Sequence, residues 1–135
     1  MTILHEAQLL QLWEGHQRKL RDNLCEGALL LDCHSFPEDQ ADVDICIGFN
    51  EDWSKPGKEL LEYAANLFED NGYSVGINYP YSNSEVPACP FAYQSMMLEV
   101  NKRVYLERRS IYLKTHCEKK RGVREVVNRL LERVV

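Results

Sequence analysis

Hydrophobic residues recur along the chain with two different periods, which predict helices and strands in alternation. In residues 3–24 the apolar positions recur at steps of three and four, and the positions between them are mostly polar. This spacing predicts an amphipathic helix. Its apolar stripe consists of Leu9, Trp13, His16, Leu20 and Leu24.

Three short segments show the pattern of β-strands. Residues 28–33 are almost all apolar and are flanked by turn-forming residues, which predicts a strand buried on both faces. Residues 43–49 are rich in β-branched side chains, and residues 73–78 follow a turn at Asn71-Gly72. Each of these segments is therefore interpreted as a strand.

The remaining segments are assigned by similar signals. Residues 57–71 have a helical apolar face, while the three prolines within residues 79–93 predict an irregular loop. Residues 95–106 are ambiguous between strand and helix, although their alternation favours a strand, and residues 108–120 receive no assignment. A last helix is predicted by the apolar stripe Val123, Val126, Val127, Leu130, Leu131 and Val134.

This order of elements predicts an α/β fold, with a mixed, mostly parallel sheet of about four strands flanked by helices. We expect residues 1–135 to form a single domain, as their number is typical of one. In such sheets ligands bind beyond the carboxyl ends of the strands.

Composition narrows the classes of function. The formal net charge is −5, which argues against a non-specific binder of nucleic acid or anionic membranes. No segment has the pattern of a signal peptide or a transmembrane helix. The five cysteines are odd in number and form no CxxC motif, so we expect free thiols and a cytoplasmic protein.

His34 is the first candidate for chemistry, because it lies where a predicted buried strand runs into a turn. Asp32 is two residues earlier and therefore points to the same face, where a carboxylate can orient an imidazole ring. The alternative is a hydrogen-bonded His at a strand end with no further role.

Glu99 is the second candidate, because it interrupts an apolar run and a carboxylate is costly to bury unless paired or functional. Near a metal-bound water it would act as general base. The alternative is a polar residue on the exposed face of a strand.

Weaker candidates follow. Arg103 has a planar guanidinium group that can bind a carboxylate. It also lies in a basic stretch of the kind found on protein surfaces, so the alternative is an ordinary surface residue. The loop of residues 78–84 contains Asn78, Tyr81 and Ser82. It either recognises a substrate or is only a connection between elements whose path is set by its proline. His16 is expected to be a packing residue of the first helix.

Taken in order, these motifs resemble the N-formylglutamate amidohydrolase family. The segment Asp32-Cys33-His34-Ser35 is similar to the family's Asp-Cys-His-Ser motif. Residues 44–48, 72–81 and 98–105 resemble its Asp-x-x-x-Gly strand, its Gly-Tyr and Asn-x-Pro-Tyr segment, and its Leu-Glu-Ile-Asn-Arg-x-x-Tyr segment. The resemblance covers about residues 9–107.

The resemblance implies a carboxypeptidase-like α/β fold and a zinc-dependent amidohydrolase that deacylates an N-acyl acidic amino acid. By that analogy His34 binds zinc, Asp32 supports it, and Glu99 is the general base. Arg103, Asn78, Tyr81 and Ser82 would bind the substrate. The loop has Tyr81-Ser82-Asn83-Ser84 where the family usually has a Gly-Gly pair.

The resemblance also implies that part of the site is missing. Members of the family are roughly twice as long, and the half that supplies a His and an acidic zinc ligand has no counterpart here. We therefore expect either a homodimer or a separate N-terminal half as partner, since the strand at 28–33 would have an exposed edge. The alternative function is a catalytically silent relative that acts as a binding or assembly module.

Overall fold

The structure is a computed structural model that describes residues 5–109, 112–115 and 117–134, with side chains described for residues 5–106 and 121–133. Helices and strands alternate along most of the chain. The helices are α1 (Glu6–Asn23), α2 (Lys58–Asp70) and α3 (Cys117–Val134), with a short 3₁₀-helix at Lys102–Val104. The strands are β1 (Leu29–Phe36), β2 (Ile45–Gly48), β3 (Val75–Ile77), β4 (Gln94–Asn101), β5 (Leu106–Arg109) and β6 (Tyr112–Thr115).

Four strands form a mixed sheet in the order β1-β4-β2-β3. The pairs β1–β4 and β2–β3 are parallel, and β2–β4 is antiparallel. The predicted α/β fold with a mixed, mostly parallel sheet of about four strands is therefore confirmed. The sequence did not predict the second sheet, a hairpin of β5 and β6 that falls largely in the segment left unassigned.

One face of the sheet, here called the helix face, carries the main core. Apolar side chains of β2 and β4 pack there against α2 and α3, and burying each large one contributes about 1.5–3 kcal/mol. The stripes of α2 and α3 supply Ala64, Phe68, Val126 and Leu130 to this core, as their spacing predicted. Leu131 is an exception, since it is 41% exposed.

The opposite face, here called the site face, is covered by the irregular loop that follows β3. Gly48 and Gly76 lie on this face, and both allow the loop to approach. A Cβ on Gly76 would lie 2.5 Å from the backbone oxygen of Tyr79. A Cβ on Gly48 would lie 2.9 Å from the backbone oxygen of Asn83. Glycine at both positions is therefore what lets the loop rest on the sheet.

β1 differs from its prediction. It is the edge strand of the sheet and is not buried on both faces: Leu29 to Asp32 are half-buried, and Cys33, His34 and Ser35 are exposed. It also continues through His34 to Phe36, so His34 lies within the strand. The apolar run did not distinguish a central strand from an edge strand, because only the neighbours of a strand decide this.

α1 also differs from its prediction, because much of its apolar stripe is not covered. Leu9 is 53% exposed and Trp13 is 59% exposed, whereas the polar Gln17 is buried. His16 is not a packing residue: it is exposed, and its Nε2 lies 3.2 Å from a carboxylate oxygen of Glu85. The helix forms as predicted, but within the described residues the part of the stripe around Leu9 and Trp13 stays open to solvent. No described helix is long and apolar enough to span a membrane.

Candidate active site

Asp32, His34 and Glu99 lie together on the site face. β1 and β4 run parallel with His34 opposite Glu99 and Asp32 opposite Met97. Residues opposite each other on paired strands project to the same face, so the three candidate side chains converge. Below them Phe36, Cys46 and Met97 form a small buried apolar cluster. The sequence predicted that Asp32 and His34 share a face, and the structure adds Glu99 to them.

The Asp32–His34 pair is fixed by hydrogen bonds. The Nε2 of His34 lies 2.7 Å from Oδ1 of Asp32, and because a carboxylate can only accept, Nε2 donates. The second oxygen of Asp32 accepts from the backbone N–H of Glu85 at 3.2 Å. This arrangement leaves Nδ1 of His34 as the nitrogen that can bind a metal, with Asp32 holding the ring as carboxylates commonly do.

Glu99 is held in an unusual environment. Its Oε2 is buried and has no hydrogen-bond partner among the described residues. Burial raises the pKa of the Glu99 carboxyl, the charge of nearby His34 opposes that rise, and the Asp32 carboxylate adds to it. Leaving a buried charged oxygen unpaired is costly, and such groups are concentrated at functional sites. The alternative of an outward-facing, solvated glutamate does not fit this environment.

The loop predicted to bind substrate reaches the same face. The Tyr81 ring packs edge-on against Phe36 with centroids 5.8 Å apart, and the Tyr81 carbonyl accepts from the buried thiol of Cys46. Asn78 adopts a positive φ of 52°, and its side-chain oxygen accepts from the Phe49 N–H. Ser82 is exposed. Asn78 and Tyr81, which are half-buried, therefore shape the loop, and Ser82 is the most exposed of the three.

Arg103 is engaged elsewhere. Its Nε donates to Asp44 at 3.0 Å and its Nη1 donates to Asp42 at 2.7 Å. Hydrogen bonding to Asp42 raises the pKa of the guanidinium, which burial partly opposes and Asp44 reinforces. The planar fork that was expected to receive a substrate carboxylate thus already binds two carboxylates of the chain.

The donors of the site are too few to hold a zinc ion by themselves. No group of three or more His, Cys, Asp or Glu side chains with metal-binding geometry occurs within the described residues. Catalytic zinc usually takes three protein ligands. His34 fits as one ligand through Nδ1, and the unpaired oxygen of Glu99 fits a nearby cation or water, so the chain presents a partial site.

A cleft of about 400 Å³ lies at the carboxyl end of β1, next to His34. Cys33, Ser35 and Val100 line it and alternate with His34 and Glu99 along their strands, so the cleft opens mainly on the helix face. Its walls come from β1, β4 and α3 and include Val100, Tyr105, Val123 and Arg124. Sequence reasoning missed Glu85, whose backbone N–H and carboxylate connect the loop to Asp32 and to α1. Glu85 carried no signal because it lies in an irregular loop far from both partners in the sequence.

Comparison with known proteins gives a family and a related fold. The sequence model of the family described as N-formylglutamate amidohydrolase matches residues 5–106. The chain belongs to this family. The match contains all three residues of the site and the loop above them.

A solved structure similar to the chain comes from the same family. It is the crystal structure of N-formylglutamate amidohydrolase from Ralstonia eutropha JMP134, with a TM-score of 0.61 and 18% sequence identity. The similarity covers 96% of this chain and 51% of that one, so the chain spans about half the length of that family member. At this identity the likeness shows the fold. A search of curated proteins found no match.

Proposed function

We propose that the chain contributes His34, Asp32 and Glu99 to an amidohydrolase site that cleaves the amide of an N-acyl acidic amino acid such as N-formylglutamate. The observation that carries the proposal is the buried, unpaired oxygen of Glu99 beside the hydrogen-bonded Asp32–His34 pair. Membership of the family supplies the reaction class.

In this proposal His34 holds a zinc ion through Nδ1, and Asp32 fixes the ring through Nε2. A bound zinc would lower the pKa of a coordinated water and polarise the amide carbonyl. The ligands that the described residues lack would come from a second copy of the chain or from a separate polypeptide equivalent to the family's other half.

Glu99 has the properties of a general base that later acts as an acid. Its raised pKa brings the carboxyl closer to neutral pH, where a group can both take and return a proton. Its free oxygen would accept the proton of the attacking water and then deliver it to the leaving nitrogen. Asp32 cannot do this as readily, because both its oxygens already accept hydrogen bonds.

Substrate recognition is proposed for the loop at 78–84, with Ser82 as the exposed polar side chain and Asn78 and Tyr81 as the residues that hold its shape. Arg103 already donates to Asp44 through Nε and to Asp42 through Nη1. We therefore give Arg103 a structural role in the proposal.

Substitution of Glu99 by Gln tests the proposal. With zinc present, we expect wild-type protein to release formate from N-formylglutamate, and Glu99→Gln to lower kcat by about 10²–10⁴-fold because the proton acceptor is lost. Glu62→Gln, which changes a surface carboxylate paired with Lys58, is the matched control and should keep wild-type activity. Equal activity of the Glu99→Gln variant and the wild-type protein would refute the role of Glu99.

Metal content tests the proposal that His34 binds zinc. We expect about one zinc per site in wild-type protein and its loss in His34→Ala. His16→Ala, which removes an exposed histidine paired with Glu85, should retain the metal. Zinc content that is the same in all three proteins would mean that His34 is not a ligand.

The competing function is a catalytically silent binding or assembly module. It is favoured by the absence of a three-donor group among the described residues and by the engagement of Arg103 with two aspartates. Hydrolysis that depends on Glu99 would exclude it. Protein that assembles but neither binds zinc nor hydrolyses N-formylglutamate would support it.

A further inference from the structure

The outer edge of β1 carries backbone groups that the sheet does not use. The carbonyl of Ala28 accepts from the N–H of Gln94 at 2.8 Å, and β1 continues in parallel register with β4. In a parallel pair alternate residues of a strand form both hydrogen bonds. The backbone N–H and C=O groups of Leu31, Cys33 and Ser35 therefore point away from β4, toward the free edge, where another strand can pair.

We infer that two copies of the chain pair through β1, antiparallel, about a two-fold axis at Cys33. This arrangement places the outward groups of Cys33 opposite those of the partner's Cys33, and those of Leu31 opposite those of the partner's Ser35. Each such pair exchanges two backbone hydrogen bonds. The residues at the centre of this edge, 33–35, are exposed, so among the residues that the structure describes no element covers the place where the partner would pair.

The charges of Asp32 and His34 favour this register over the registers centred on Asp32 or Leu31. Centring the pair on Asp32 would set two carboxylates directly opposite each other, which is destabilising. Centring it on Leu31 would set Asp32 against the apolar Leu30. Centring it on Cys33 sets Asp32 of each copy against His34 of the other, an acid against a base. The edge is therefore self-complementary, which is what a two-fold interface requires.

The same register would complete the site. Directly opposed residues that do not exchange hydrogen bonds have Cα atoms about 4.5 Å apart, with their side chains on one face. Asp32 and His34 of both copies would then converge on the site face, next to both Glu99 side chains. Two imidazoles and several carboxylates would together supply the three ligands that a catalytic zinc needs. The metal-binding consequence rests on the proposed function, whereas the pairing rests only on the free edge and its charges.

Oligomeric state is the first test. We expect wild-type protein to be a dimer in light scattering. Ser35→Pro removes an outward N–H without touching the bonds to β4, and proline is tolerated at sheet edges, so this variant should be a folded monomer. Ser35→Ala, which keeps the N–H, should remain a dimer. A wild-type monomer at high concentration, or a Ser35→Pro dimer, would overturn the inference.

Crosslinking is the second test, and it stands even if Ser35→Pro does not fold. Opposed Cys33 residues would have Cα atoms about 5.5 Å apart, within the range of a disulfide. Mild oxidation should give a covalent dimer of wild-type protein and of Cys25→Ser, which removes another exposed cysteine, but not of Cys33→Ser. A covalent dimer that persists in Cys33→Ser and is lost in Cys25→Ser would overturn the register.

The two proposals can fail separately. A dimer linked through Cys33 that never hydrolyses N-formylglutamate would refute the proposed function and leave the pairing intact. A monomer that hydrolyses it would refute the pairing and leave the function. Zinc that is bound by wild-type protein and lost in the Ser35→Pro monomer would support both.

Discussion

Glu99 shows at the scale of a single residue how a group proposed for catalysis can oppose stability. Burial raises the pKa of its carboxyl, so around that pKa the carboxyl is protonated to a greater extent in the folded chain than in the unfolded chain. Above the ordinary pKa of a glutamate, the folded state therefore binds more protons than the unfolded state. In that case the free energy of unfolding falls as pH rises through the interval between the two pKa values. The charged Glu99 is thus a destabilising group at neutral pH.

Glu99→Gln should accordingly stabilise the protein at neutral pH while it abolishes the proposed proton transfer. We expect the free energy of unfolding to rise by roughly 0.5–1 kcal/mol at about pH 7, since a neutral amide is less costly to bury than a charge. Urea denaturation at several pH values would measure this. The difference between the two proteins should shrink as pH falls through the interval between the raised pKa and the ordinary glutamate pKa, and level off below it. A difference that grows toward acid pH would contradict this expectation.

Arg103 is the second residue whose role the structure redefines. It joins the 3₁₀-helix after β4 to the segment before β2, through Asp42 and Asp44. The Arg103 side chain is 33% exposed and that of Asp42 is 98% exposed, so solvent screens much of the interaction. Arg103→Gln should lower the free energy of unfolding by about 0.5–1 kcal/mol. KM for N-formylglutamate should change little, and a large rise in KM would restore Arg103 as a substrate ligand.

At the scale of elements, the loop over the site face depends on two glycines in the strands. Gly76→Ala would place a Cβ 2.5 Å from the backbone oxygen of Tyr79, which cannot move without shifting the loop. We expect a loss of about 1–3 kcal/mol in thermal or urea denaturation. Gly15→Ala is the matched control: no atom lies within 4 Å of that Cβ, and alanine favours a helix by about 0.5–1 kcal/mol, so stability should rise.

The elements also show what sequence patterns can and cannot predict. The period of Leu60, Ala64 and Phe68 predicted both the existence of α2 and its buried face, because the sheet below it lies within this chain. The same kind of stripe predicted α1 but not the exposure of Leu9 and Trp13. A stripe indicates which face prefers an apolar neighbour, and only the tertiary structure shows whether one is present.

The sequence predicted the part of the candidate site whose residues are close together along the chain. Asp32 and His34 lie two residues apart on a strand, so their shared face follows from strand geometry. Glu99 lies far beyond His34 in the sequence, and only the parallel register of β1 and β4 places the two opposite each other. The hydrogen bond from Glu85 to Asp32 comes from an irregular loop and had no periodic signal. The sequence pattern therefore did not show which residues of distant strands lie opposite each other.

At the scale of the whole molecule, the uncovered surfaces of the described part of the chain include the free edge of β1 and the apolar stripe of α1. Pairing through the edge uses backbone hydrogen bonds and the charges of Asp32 and His34. Pairing through α1 would instead bury Leu9, Leu12 and Trp13, which are 53%, 63% and 59% exposed. The two modes of assembly can be separated, because only the second covers a tryptophan.

The fluorescence of Trp13 should report which surface a partner covers. In Trp53→Phe, Trp13 is the only tryptophan. If the dimer forms through β1, Trp13 stays exposed, and we expect red-shifted emission and strong quenching by acrylamide that do not change with protein concentration. Ser35→Pro in the same background should give the same spectrum while light scattering reports a monomer. Emission that shifts to the blue as the dimer forms would place the interface on α1, since burial removes water from the indole ring.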